Sequence, residues 1–142
     1  MDISYDTHEG HFHVSARAVI LRDGHILMVK AQQRYYTVGG RVQFDESAEQ
    51  AIEREALEET GAAFEVDRLL FVHEEFVEKG HLIALTFLMK PNDAPICEHT
   101  DNDEELVWVP IESLRDCNVY PSFLPGELPR LSNEIKHFVT RE

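Results

Sequence analysis

The chain has 142 residues, 43% of them hydrophobic, which suits one domain spanning residues 1–142 with a sizeable core. Thirteen basic against 27 acidic residues leave a net charge of −14, which works against a nucleic-acid polymer as partner because such binding needs Lys and Arg on phosphates. No run approaches 18 apolar residues and the N-terminal stretch is polar, so neither a membrane span nor a secretion signal is expected, and a cytoplasmic location is.

Met1 to Gly10 reads as a loose or edge segment. Phe12, Val14, Ala16, Ala18 and Ile20 alternate with His13, Ser15 and Arg17, the period of a strand. Asp23-Gly24 predicts a two-residue hairpin, and the return strand carries Ile26 to Val29 without a polar break, as if covered on both faces. Ala31 to Arg34 reads as a polar loop, and Tyr35 to Val38 as a short strand leading into a Gly39-Gly40 loop.

Ala48, Ala51, Ile52 and Ala56 recur at i, i+3, i+4 and i+8, which predicts a helix with one apolar face. Ser47 or Asp45 can cap its start and Gly61 can end it. Two strands follow over Phe64 to Val77 and His81 to Lys90, turning at Glu78-Lys79-Gly80, and the second has the look of a central buried strand. Pro91 to Thr100 is a loop, and an acidic stretch from Asp101 to Glu105 feeds a strand over Leu106 to Val109. Pro110 opens a short helix holding Leu114, and Pro121, Pro125 and Pro129 keep the next stretch irregular. Leu131, Ile135, Phe138 and Val139 predict a final amphipathic helix. Strands on both sides of one long helix give an α/β class with a mixed sheet between helical layers.

At about 100° per residue, Glu55, Glu58 and Glu59 fall on an arc of roughly 100° that continues the apolar stripe of the long helix. Carboxylates at this spacing repel one another and sit where the helix dipole disfavours negative charge. A hard divalent cation with oxygen ligands turns that cost into a site, and magnesium is the default. Taken alone, the REALEE stretch is equally well a solvated acidic face.

The longer spacing is more specific. Five residues separate Gly40 from Glu46 and seven separate Glu46 from Arg54-Glu55; then follow Ala56, Glu58-Glu59, Gly61 and Ala62. Leaving aside the small apolar Ala56 and Ala62, seven fixed residues at about 7% usage each match by chance roughly once in 10⁸ alignments. The stretch Gly40 to Ala62 resembles the signature box of the Nudix hydrolases, the MutT-like family. Three positions outside the fixed set differ from common usage: Val38 for Pro, Gln43 for Glu and Asp45 for Gly. Asp45 demands a backbone that Gly accepts more readily, or else serves as a true N-cap.

The resemblance implies the Nudix fold, an α/β/α sandwich with the box as loop–helix–loop. It implies that Glu55, Glu58 and Glu59, joined by the Gly39 carbonyl, hold magnesium, with manganese as the alternative. Any of these acids, Glu55 first, could serve as base, and Arg54 would pair with Glu46 and fix Glu55. The catalytic set is then Glu46, Arg54, Glu55 and Glu58, with no organic cofactor. A further acid among Glu98, Asp101, Asp103, Glu104 and Glu105 could join, Glu104 being favoured, although a solvated loop explains them equally well.

The implied reaction is magnesium-dependent hydrolysis of a diphosphate bond in a nucleoside diphosphate linked to another moiety. The alternatives are a nucleotide-metabolite sensor without hydrolysis and a housekeeping nucleoside triphosphate pyrophosphatase. Relatives acting on ADP-ribose often carry a Pro some sixteen residues past the box, and dinucleoside polyphosphate hydrolases a Tyr; Val77 and Glu78 stand there, so both classes lose ground. The expected partner is a small phosphorylated nucleotide-type substrate, with neither membrane nor nucleic-acid polymer, and a homodimer is left open. Tyr35 and Tyr36 are core or sheet-face aromatics, with stacking on a base as the alternative; Trp108 is core. The eight His show no ligand spacing, and Cys97 and Cys117 read as small, partly buried hydrophobes in a reducing compartment.

Overall fold

Both faces of the strand His25–Ala31 are buried, because the residues on its two sides feed two different cores. Leu27 and Val29 pack toward the long helix with Ala16, Ala18, Ala51, Ile52 and Ala56. Ile26 and Met28 face the other way, onto Val19, Leu70, Phe71, Leu114, Leu124 and Leu128. A sheet with two apolar faces must be covered twice, and the covers are the long helix on one side and a set of short helical turns on the other.

The computed structural model describes residues 1–142. Its strands are β1 (Ser4–Thr7), β2 (Gly10–Val19), β3 (Leu21–Arg22), β4 (His25–Ala31), β5 (Arg34–Arg41), β6 (Val66–Val77), β7 (Gly80–Met89), β8 (Glu105–Pro110), β9 (Val119–Tyr120) and β10 (Lys136–Arg141). The long helix is α1 (Ala48–Thr60), and a single turn, α2 (Leu124–Glu127), lies late in the chain. The sheet runs β10-β6-β7-β2-β5-β4-β3, with β1 on β2, β8 on β4 and β9 on β5. It is mixed: β2 is parallel to β7 and antiparallel to β5. The architecture is of the expected α/β class, a mixed sheet covered on both faces. No helix is long and apolar enough to cross a membrane.

Ser47 caps α1. Its Oγ accepts from the Gln50 N–H at 3.0 Å while the Gln50 side-chain oxygen accepts from the Ser47 N–H at 2.8 Å, a reciprocal capping box. Asp45 instead takes the left-handed backbone, φ 70°, so of its two readings the glycine-like one holds. Gly61 ends the helix at φ 78° with its N–H on the Leu57 carbonyl at 2.9 Å.

Several expectations are corrected. The Gly39-Gly40 loop is strand: β5 continues through both glycines, which pair with Arg17 and Ala16 of β2. A Cβ on Gly39 would stand 2.3 Å from the Ala16 carbonyl oxygen, so the close approach of β2 is what requires glycine. The polar loop Ala31 to Arg34 is a tight hairpin. Gln32 and Gln33 take φ 52° and 65°, the double positive turn that joins strands without a glycine here.

The final helix does not form. Lys136–Arg141 is β10, parallel to β6, and its burial alternates from residue to residue. Phe138 enters the core against Phe71 and stacks on Phe123 at 3.9 Å. The open edge of β6 offers backbone hydrogen bonds that a surface helix would forgo, and four apolar residues in nine could not distinguish the two periods. The second helical layer is therefore the 3-10 turn Ile111–Asp116, α2 and the 3-10 turn Leu128–Arg130, burying Leu114, Leu124 and Leu128. Cys97 is exposed rather than partly buried, lying over the end of α1 with its N–H on the Thr60 carbonyl.

Candidate active site

The acidic arc of α1 meets the end of β5. Arg54 sits at its centre and gives every face of its guanidinium to an acceptor. It donates to Glu46 at 2.6 and 3.1 Å, to Glu55 at 2.8 Å, to Glu58 at 3.4 Å and to the Arg41 carbonyl at 3.2 Å. Its hydrogen bonds to Glu46 hold the Arg54 proton more firmly than usual, and the same bonds hold the Glu46 carboxyl below its ordinary value. Glu46 in turn accepts from the Gln43 N–H at 2.7 Å, tying the loop to the helix.

Glycine makes room for Glu55. A Cβ on Gly40 would lie 2.4 Å from the Glu55 carboxyl carbon and 2.6 Å from both its oxygens. Glu59 enters deepest: the Gly39 N–H donates to its Oε2 at 3.0 Å. Burial pushes the Glu59 carboxyl up to about 7, against the pull of Arg17 and the Gly39 N–H, with Glu55 and Asp101 pushing the same way as burial. Glu58 is the exposed member of the set.

Two clefts open beside these acids and share Arg17 and Tyr36. The smaller, about 340 Å³, lies between Glu59, Gly39 and Glu104. Of the five acids of the 98–105 stretch, Glu104 alone lines it; Glu98, Asp101, Asp103 and Glu105 are exposed. The other cleft, about 390 Å³, runs over the sheet past Ser15, Arg41, Ala84 and Tyr120. Arg17 is fixed between the two by donating to the Thr37 hydroxyl at 3.0 Å and to the Thr37 carbonyl. A third cavity, about 440 Å³, is at the far end of β2 by Tyr5 and Lys79, away from the acids.

The structure thus brings together Gly39, Glu46, Arg54, Glu55, Glu58, Glu59 and, across the cleft, Glu104. It adds Arg17, Arg41, Glu75 and Tyr120, which the spacing did not single out. Arg17 had a signal: His13, Ser15 and Arg17 are the polar phase of an alternating strand, and that phase lines the sheet cleft. Tyr36 lines both clefts, Tyr35 packs on the core beneath Lys30, and Trp108 is half-buried under Arg22.

The donor set suits a hard cation: three carboxylates within five residues of one helix, beside a main-chain strand end, are oxygen ligands of the kind magnesium takes. As the side chains stand, no three carboxylate or imidazole groups converge on one point, since Arg54 draws Glu55 and Glu58 to itself.

Residues 11–126 match the NUDIX domain family model. A MutT-like protein of Streptomyces ambofaciens is 35% identical over 137 residues, covering 89% of this chain and 86% of that one. Among solved structures, the E. coli ORF135 protein superposes with a TM-score of 0.68 at 26% identity, covering 80% of this chain and 84% of the other. The MutT NUDIX hydrolase of Burkholderia pseudomallei does so at 0.62 and 28%, covering 70% and 84%.

Proposed function

The chain belongs to the NUDIX domain family and is a hydrolase of nucleotide derivatives; from this premise we propose that it cleaves a diphosphate bond in a nucleoside diphosphate joined to a further group, with magnesium or manganese bound at the box. The observation that carries this reading is the placing of Glu55 and Glu58 on Arg54, with Glu59 beside them on the Gly39 N–H, next to two clefts that share Arg17.

Glu55, Glu58 and Glu59, with the Gly39 carbonyl, would hold the cation. When bound, it supplies positive charge to the phosphoryl oxygens and lowers the pKa of a water. Glu55 is the proton acceptor of the site, being set by Arg54 on one side and by the bare backbone of Gly40 on the other. Arg54 and Glu46 position Glu55 and touch no substrate atom. Arg17 and Arg41 bring the fixed positive charge of the sheet cleft toward the same end, where a diphosphate would lie. The reaction belongs in a reducing cytoplasm, in keeping with the free thiols Cys97 and Cys117.

The test is a panel of nucleotide sugars, dinucleotides and nucleoside triphosphates, with and without magnesium, on the wild type and on Glu55→Gln and Glu59→Gln. Metal-dependent cleavage of the diphosphate-linked compounds, lost in both variants with the fold intact, is expected. Turnover of both variants within tenfold of wild type would overturn the assignment of the acids, and a preference for triphosphates would replace the substrate class.

A further inference from the structure

Glu75 is a buried carboxylate that the proposed chemistry does not use. It is 5% exposed, its side chain accepts one hydrogen bond, from the Tyr120 hydroxyl to Oε2, and no basic group pairs with it. A carboxylate has room for about four hydrogen bonds, so most of this capacity is unspent. Oε1 has no partner and is nevertheless not sealed from solvent, and Glu75 lines both the sheet cleft and an adjoining cleft beside Arg34 and Arg141. Holding a charge in such a place is unfavourable unless something donates to it.

The register shows what it faces. His13, Leu82 and Glu75 stand in one row across β2, β7 and β6, and Ser15, Ala84 and His73 form the next. With strands about 4.8 Å apart, the outer members of a row are roughly 10 Å apart over a floor of Leu82 and Ala84, a slot of the width of a flat heterocycle. Tyr36 and Tyr120, ring centroids 5.8 Å apart, close its side. At one end the slot reaches Gly40, Arg17 and the box, so a nucleotide whose phosphates lie there places its base toward Glu75.

The facing wall also presents a lone pair. His11 Nδ1 lies 2.5 Å from Asp6 Oδ1, and His11 Nε2 lies 2.8 Å from His13 Nδ1. With His11 neutral, Asp6 takes its Nδ1–H, its Nε2 accepts from His13 Nδ1–H, and His13 Nε2 is left as an acceptor. Burial, with Arg41 nearby, pushes the His13 imidazole down to about 4, which keeps it neutral.

We propose that Glu75, oriented by Tyr120, is a specificity-determining residue that accepts a hydrogen bond from an exocyclic amino group of the substrate's base and rejects an oxo group at the same position. This rests on the nucleotide-hydrolase reading. An amino group meets a lone pair; a carbonyl there would set oxygen against oxygen and leave both unsatisfied.

Two pairs of mononucleotides isolate the contact: CMP with UMP, and AMP with IMP, each differing by amino against oxo. Binding is measured by titration calorimetry without metal, at a pH where imidazole is neutral. Wild type should hold CMP over UMP and AMP over IMP by at least about tenfold, which is roughly 1.4 kcal/mol. Glu75→Gln should bring both ratios near one, because the amide can turn either its N–H or its oxygen to the base. Tyr120→Phe, which frees the carboxylate, should reduce the ratios without removing them; it serves in place of Glu75→Gln if that variant does not fold. Equal binding within both pairs by wild type, no binding of any of the four at millimolar concentration, or ratios unchanged in Glu75→Gln overturns the proposal. Because no turnover is measured, this outcome is separate from that of the hydrolysis panel.

Discussion

Gly40 and Glu55 occupy the same space by turns: a methyl group on residue 40 would lie 2.4 Å from the carboxyl carbon of residue 55. The glycine at the end of β5 is therefore a feature of the acid's position, since the obstacle to a larger residue is the tip of a side chain that can swing away. Gly40→Ala should displace Glu55 at modest cost in stability and at large cost in rate, lowering hydrolysis at least about tenfold. Matched melting curves and turnover numbers check it, and a variant that loses stability but retains turnover refutes it.

Arg54→Lys keeps the positive charge and loses the planar fork that reaches Glu46 and Glu55 together. Hydrolysis should fall at least about tenfold, roughly 1.4 kcal/mol in transition-state stabilisation. Binding of the base and sugar should change much less, because the proposed sheet cleft for them is lined by other residues. A parallel drop in affinity and rate would show that the arginine serves the pocket and not the acids.

Three clustered carboxylates, only two of which an arginine answers, should make the protein gain thermal stability when magnesium is added, since a ligand that binds only the native state raises its apparent stability. Glu55→Gln should reduce the gain. An unchanged melting midpoint at saturating magnesium would leave the helix face merely acidic.

Glu127 anchors the last strand. It is buried and accepts from Lys136 at 2.7 Å and from Arg130 at 3.0 Å, the first of these bonds being the main cause of a carboxyl held below its ordinary value. The folded value lies under the unfolded one, so the stabilisation is present above the unfolded value and is lost as pH falls through the folded one. Glu127→Gln should cost about 1 kcal/mol near neutrality, and the gap to wild type should close in acid below the ordinary carboxyl range. Denaturant midpoints at the two extremes decide it; a gap constant with pH would mean that packing alone is at stake.

The box was legible in the chain because everything that builds it is local. The apolar stripe through Ala51, Ile52 and Ala56, the cap at Ser47 and the stop at Gly61 are encoded within one helix length, and helical geometry alone sets Glu55, Glu58 and Glu59 on one arc. The same holds for the Asp23-Gly24 hairpin, where two adjacent residues at φ 49° and 76° fix the turn. Tertiary structure decided what depends on partners distant in sequence. Lys136–Arg141 became strand because β6 offered an open edge, a fact written nowhere within those six residues. Gly39 and Gly40 became strand because β2 pairs with them, and only glycine fits there because β2 passes too close for a side chain at the first and Glu55 needs the room at the second. The sheet cleft exists only because β2, β7 and β6 align His13, Leu82 and Glu75 in one row, residues up to 69 positions apart in a chain whose local pattern names their strands but not their neighbours.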